Sequence, residues 1–255
     1  MAIDQWALYR LAETLDTVSH NYHSYDFDKV YKTIYSFCND DLSSIYLDIL
    51  KDRLYTSASK STARSAAQTV LYDILDTLVR MAAPILSFTC QEVFEAMPKA
   101  KALASISSVH LLDWPAVRDD WKGAKGAANE EKLKIPLALR PFVLKSLEEK
   151  RQSGAIGSPL EAKVIFETAS DRDSQGLESQ KEILASLYIV SQVETKKVNN
   201  VEEGLSPDFP KTKITIEKAE GQKCARCWNY SVHIGENKDH PTLCERCLPT
   251  IKEQK

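Results

Sequence analysis

The chain has 255 residues, 27% of them charged and 43% hydrophobic, with a formal net charge of −3. That length and balance fit one large or two ordinary globular domains with real cores, and no apolar run approaches the roughly 18 residues of a membrane span. The negative balance excludes a general nucleic-acid binder held by bulk attraction. Charge is unevenly spread. Residues 1–115 carry 10 basic and 14 acidic side chains (net −4), residues 116–220 carry 17 and 18 (net −1), and residues 221–255 carry 6 and 4 (net +2). Any nucleic-acid contact is therefore local and guided by shape. The first residues, Met1-Ala2-Ile3-Asp4-Gln5-Trp6, hold neither the basic patch nor the apolar stretch of an export signal, so the expected location is cytoplasmic.

The first hundred residues follow a helical period. Ile3, Ala7, Leu11, Leu15, Val18 and Tyr22 recur every three to four residues and define one amphipathic helix. Asp26 is a good N-cap for a second helix, with Phe27, Val30, Ile34, Phe37, Leu42, Ile45 and Ile49 as its buried face. Lys51 to Ser61 is polar and rich in Ser and Thr and reads as a loop. A third helix is predicted from Thr62 to Ala82, with Ala66, Val70, Ile74, Leu75, Leu78 and Val79 inward, until Pro84 interrupts it. Thr89-Cys90-Gln91-Glu92 has capping-box form and starts a fourth helix ending at Pro98. Long helices joined by short polar loops make an antiparallel bundle.

Residues 99–130 read as a connector, because Asp113-Trp114-Pro115 and Lys122 to Ala128 hold breakers and little periodicity. A helix is predicted over Glu130–Gln152 despite Pro136 and Pro141, followed by a turn-rich break over Ser153–Pro159. Ala162–Glu167 is β-like, a helix lies near Glu178–Ser186, and further strands are expected over Leu187–Glu194 and Thr212–Glu217. The expected fold is mainly α: an antiparallel helical bundle (1–115), a connector with a small α+β unit (116–220), and a four-cysteine zinc module (221–255).

The metal reading rests on spacing. Cys224-Ala225-Arg226-Cys227 and Cys244-Glu245-Arg246-Cys247 are separated by sixteen residues, a pattern that lets two tight turns complete one tetrahedron around a single Zn2+. Four soft thiolates leave no open position for water, so the ion is structural. The alternative is a pair of dithiol redox centres, whose chemistry prefers one Cys-x-x-Cys opening a helix after a strand. His233 and His240 are weaker substitutes as ligands. Cys38 and Cys90 lie in helical stretches and read as small buried hydrophobes.

Beside the metal pattern, Trp228 either packs on the knob or stacks on an unpaired base. Arg226 and Arg246 occupy turn positions expected to point outward, available to phosphate or left as solvated charge. Lys51, Arg53, Lys60 and Arg64 form the best basic cluster of the acidic N-terminal part; they contact phosphate or simply suit a helix C-terminus. Tyr46, Tyr55 and Trp6 read as core or rim residues. No nucleophile, base and oxyanion set can be assembled.

Tyr25-Asp26-Phe27, Phe37-Cys38, Tyr46 to Thr56, Ala83 to Thr89, Ser158 to Ala162, Ile189 to Val193 and the two Cys-x-Arg-Cys turns appear in one colinear order. In that order the chain resembles the C-terminal part of bacterial isoleucyl-tRNA synthetases, class I enzymes: their anticodon-binding helical domain plus zinc module. The resemblance implies recognition of isoleucine tRNA at its anticodon stem-loop, one structural zinc, and action as a monomer alongside a catalytic domain of the same enzyme that is absent here. The whole enzyme would attach isoleucine with ATP. The family's His-Ile-Gly-His and Lys-Met-Ser-Lys-Ser signatures do not occur, so this chain alone is expected to be inactive. His233-Ile234-Gly235-Glu236 lacks the second His. Phe94 stands where the family usually has Trp. The rival reading is a zinc-containing protein-interaction module that never touches RNA.

Overall fold

The computed structural model describes residues 1–100 and 103–252, apart from the side chains at 124, 125 and 252. The connector read over residues 99–130 and the tail read over residues 221–255 include positions 101–102 and 253–255, which lie outside the described residues. Contacts divide the chain into two compact units, Met1–Asp48 with Ser65–Glu130, and Ile49–Arg64 with Glu131–Lys255.

The first unit is helical. α1 (Ala2–His23) buries Ile3, Ala7, Leu11, Leu15 and Val18, the stripe the sequence periodicity marks. A turn at Ser24–Asp26 reverses the chain, with the Asp26 carboxylate accepting from the Lys29 backbone N–H at the start of α2 (Phe27–Ser36). Phe27, expected in the buried face, is instead exposed. It stands just inside the cap, before the inward stripe begins at Val30, and meets Tyr22 and Tyr25 edge-on.

A π-helical stretch follows over Phe37–Tyr46. Its wider turn brings Phe37, Leu42 and Tyr46 inward, at separations of five and four. The Ser43 and Ser44 hydroxyls also donate to the carbonyls five residues back, Cys38 and Asn39. Tyr46 is buried, and its phenol donates to Asp4 of α1 at 2.9 Å.

α3 spans Leu47–Thr56, so most of the stretch read as a loop is helix and only residues 57–61 turn. α4 (Thr62–Ala82) has the predicted bounds and buries Val70, Ile74 and Val79, with Ala66, Leu75 and Leu78 half-buried. α5 spans Ser87–Ala96, starting two residues before the expected capping box; the Ser87 hydroxyl donates back to the Ala83 carbonyl. Phe94 and Cys90 of α5 are buried in a cluster with Val79, Ala82 and Val109. Cys38 is only half-buried.

α6 (Asp119–Lys122) and α7 (Ala124–Gln152) replace most of the expected breaker region. Gly126 permits the junction, because a Cβ there would lie 2.5 Å from the Trp121 carbonyl oxygen. α7 continues through Pro136 and Pro141, each of which removes one backbone donor. It is pinned to the next helices by Tyr188, whose phenol donates to the Pro136 carbonyl at 3.1 Å, and by Arg140, which donates to Leu187 at 3.1 Å.

The remainder of the second unit is built on β1 (Ala162–Thr168). The chain then forms two short helices where one was expected, α8 (Asp171–Glu178) and α9 (Lys181–Tyr188). Because α9 runs to Tyr188, β2 begins later than read and spans Gln192–Lys197. β3 covers Thr212–Lys218. The sheet order is β2-β1-β3, with Val164 level with Val193 in the parallel pair and with Ile216 in the antiparallel one. Asp173 is buried at the sheet end, where it accepts from Thr212 at 2.7 Å and from Arg172 at 2.9 Å. The fold class is mainly α with a small sheet and a cysteine cluster. Among the described residues, no helix is long and apolar enough to cross a membrane.

Candidate zinc centre and nucleic-acid surface

β4 (Gln222–Lys223) and β5 (Tyr230–Ser231) form a short antiparallel hairpin around the first cysteine turn. Gly221 opens it at φ +88, where a Cβ would sit 2.2 Å from the Ser231 carbonyl oxygen. The turn closes through Trp228 N–H to the Cys224 carbonyl at 3.0 Å and Cys224 N–H to the Asn229 carbonyl at 2.9 Å. The second turn closes through Cys247 N–H to the Cys244 carbonyl at 3.0 Å and runs directly into α10 (Leu248–Lys252).

Cys224, Cys227, Cys244 and Cys247 are all buried, and their sulfurs lie within 4.8 Å of one another. The Cys227 and Cys244 sulfurs are 3.6 Å apart. A tetrahedron with Zn–S bonds of about 2.3 Å has edges of about 3.8 Å, so the sulfur set fits a zinc ion. Leu243 is buried with the cysteines, and Ile234, Leu248 and Ile251 pack against them. That is too small a core to hold the hairpin without a metal cross-link. Burial opposes the Cys224 thiolate, yet backbone N–H groups of Cys227, Cys244 and Arg226 outweigh it and lower its pKa. Burial and the neighbouring sulfurs push Cys244 and Cys247 up. His233 lies outside this cluster and pairs with Glu236 at 2.9 Å.

Trp228 follows the first turn with φ +66, a left-handed conformation rare for a bulky residue. It is 60% exposed, with the Lys223 ammonium 5.3 Å from its ring centre. The indole therefore does not close the knob's core.

Arg246 is exposed, as the spacing suggested, and Arg226 is half-buried, yet each side chain is engaged by α3. Arg226 donates to the Thr56 carbonyl, the last residue of α3, and lies 3.8 Å from the Cys247 sulfur. Arg246 grips Asp52 with two nitrogens, at 2.6 and 2.8 Å. Burial works against the Arg246 charge, and the Asp52 carboxylate and the Cys227 sulfur overcome it and raise its pKa.

Lys51, Arg53, Lys60 and Arg64 all belong to the Ile49–Arg64 segment of the same unit. Lys51 and Lys60 are exposed, Arg53 and Arg64 half-buried. Ser61 caps α4 by accepting from the Arg64 backbone N–H at 3.1 Å, while the Arg64 Nε is buried without a partner. Trp6 and Tyr46 are buried, as core residues should be, whereas Tyr55 is 81% exposed on the last turn of α3.

Comparison with known families identifies residues 4–166 as an anticodon-binding domain of tRNA ligase. The chain belongs to that family. Residues 221–250 match a zinc finger found in FPG and IleRS, and with the four clustered sulfurs this makes the cofactor of the tail one structural zinc. Curated relatives match the whole chain. It is 39% identical over 255 residues to the isoleucine–tRNA ligase of Syntrophotalea carbinolica and 38% identical over 255 residues to that of Thermotoga maritima. It is 40% identical over 259 aligned residues to that of Caldanaerobacter subterraneus. The chain spans 26–27% of the length of these relatives.

In this anticodon-binding family member, the spacing argument picked out the sulfur cluster but missed Asp52 and Thr56. Asp52 sits between Lys51 and Arg53 and reads as one more surface charge. Nothing local marks it as the seat of a guanidinium 194 residues away.

Proposed function

We propose that this chain recognises the anticodon stem-loop of isoleucine tRNA as the C-terminal part of an isoleucine–tRNA ligase. The observation that carries the reading is the colinear match over all 255 residues to isoleucine–tRNA ligases, together with the anticodon-binding family assignment. In this reading Cys224, Cys227, Cys244 and Cys247 hold the zinc, which supplies no chemistry to a reaction and serves to fold the hairpin that carries Trp228. Trp228 stacks on an unpaired base; its exposure and its place beside Lys223 support that role. Lys51, Arg53, Lys60 and Arg64 serve the RNA backbone, with Arg226 and Arg246 bordering the same segment.

The whole ligase would attach isoleucine with ATP in a catalytic domain outside this sequence. Gripping the far end of the tRNA raises the chance that its acceptor end meets that domain. The protein works in the cytoplasm as a monomer in this scheme. Titrating the chain with an isoleucine-tRNA anticodon stem-loop, and with the same stem-loop carrying an altered anticodon, tests the proposal. Binding should weaken with anticodon change and with rising salt. Binding indifferent to both, or none at all, would point to the protein-interaction alternative.

A further inference from the structure

Each Cys-x-Arg-Cys turn carries its arginine between two cysteines, so the backbone of that residue is fixed by the sulfurs on either side. Both guanidiniums then reach one short stretch of α3. Asp52 and Thr56 are four residues apart and share a helix face, and the Thr56 hydroxyl donates to the Asp52 carboxylate at 3.2 Å. Arg246 takes that carboxylate with two nitrogens. Arg226 takes the Thr56 carbonyl, one of the terminal acceptors that a helix cannot satisfy itself.

Arg226 also crosses the cluster, since it belongs to the first turn and lies 3.8 Å from a sulfur of the second. Four thiolates on one divalent cation carry two excess negative charges, and the C-terminus of α3 presents a partial negative charge of its own. The two guanidiniums lie where both can be balanced. The segment Ile49–Arg64 accordingly clusters with residues 131–255 and not with the helices that flank it in sequence.

We infer that Arg226 and Arg246 are positioning residues that tie the zinc turns to the C-terminal turn of α3, so that zinc occupancy governs the order of the Asp52–Ser61 segment. The consequence reaches the basic cluster. Lys51 and Arg53 flank Asp52, Lys60 lies in the turn after Thr56 and Arg64 in the first turn of α4, so the metal sets the placement of cations that lie far from it in sequence. The inference rests on the zinc assignment of the four cysteines and goes beyond it. The two arginines act on RNA through α3, whether or not they touch it.

Hydrogen–deuterium exchange on the purified chain tests this, with zinc counted in the same sample before and after stripping with a chelator. Removing zinc should speed exchange across Asp52–Ser61 by about tenfold or more and leave α1 unchanged. Asp52→Asn and Arg246→Gln should each speed zinc transfer to a chromogenic chelator, by about tenfold for an outer partner of a metal site. The reversed pair D52R/R246D should bring the rate back toward the starting value, which a general loss of packing would not do. One zinc per chain with unchanged Asp52–Ser61 exchange after stripping overturns the inference alone. The absence of zinc from the purified chain overturns the metal assignment itself, and the inference with it.

Discussion

Trp228 combines two costs that a purely structural residue would shed. Its left-handed backbone is disfavoured for a side chain with a Cβ, by about 1–2 kcal/mol, and its indole leaves more than half of its surface in water. Trp228→Gly and Trp228→Ala separate the two. Glycine relieves the backbone and should hold the zinc hairpin at least as firmly as tryptophan, while alanine keeps the strain. Both remove the ring and should weaken anticodon stem-loop binding by roughly 1–3 kcal/mol, the worth of one stacked base. Thermal melts of the zinc-loaded chain beside binding titrations read both effects. Equal affinity for Trp228→Gly and the unaltered chain would show that the ring has no part in recognition. The sulfur quartet was legible in the sequence because metal ligation imposes fixed spacings. The direction of Arg226 and Arg246 was not, because it depends on where α3 lies and no local rule encodes that.

Among the elements, α1 and α4 were readable because each keeps one 3.6-residue stripe from end to end, from Ile3 to Val18 and from Val70 to Val79. Phe37 and Leu42 were read as inward-facing and are buried, but the π-helical turn was not read, since a regular helix was expected to run on to Ile49. α7 was hidden at its start by Gly123 and Gly126, which serve a close approach to α6 and do not break the chain. α3 was hidden by polar residues whose partners lie elsewhere, Asp52 among them.

α1 and α4 meet through Tyr22, whose phenol donates to the Met81 carbonyl at 3.0 Å. Burial raises its pKa from 10.0 to about 12, with Cys90 adding to the shift. Because the folded value lies above the unfolded one, this contact contributes fully below pH 10 and is lost as the pH climbs through about 12. Denaturant titrations across that interval should show stability falling more steeply for the natural chain than for Tyr22→Phe. Parallel slopes would mean that the phenol is not held protonated by the fold.

At the scale of the molecule, the proposed tRNA binding by an acidic chain calls for a small, well-placed set of cations. Residues 1–115 carry a net charge of −4, so bulk attraction does not favour a polyanion there. Lys51, Arg53, Lys60 and Arg64 lie on the Ile49–Arg64 segment, which shares one compact unit with the zinc tail. A contact of this kind depends on few phosphates. The plot of log affinity against log salt should therefore be shallow, with a slope corresponding to about three to five neutralised phosphates. A slope near zero would rule out phosphate contact by that segment.

Ultraviolet cross-linking of the zinc-loaded chain to an isoleucine-tRNA anticodon stem-loop, with the joined peptides sequenced, locates the RNA directly. We expect adducts at Trp228 and within Lys51–Arg64, formed with unpaired loop nucleotides and lost when zinc is stripped. Adducts confined to other parts of the chain, or formed equally well without zinc, would contradict the assignment of the zinc tail and its neighbouring helix as the anticodon-reading surface.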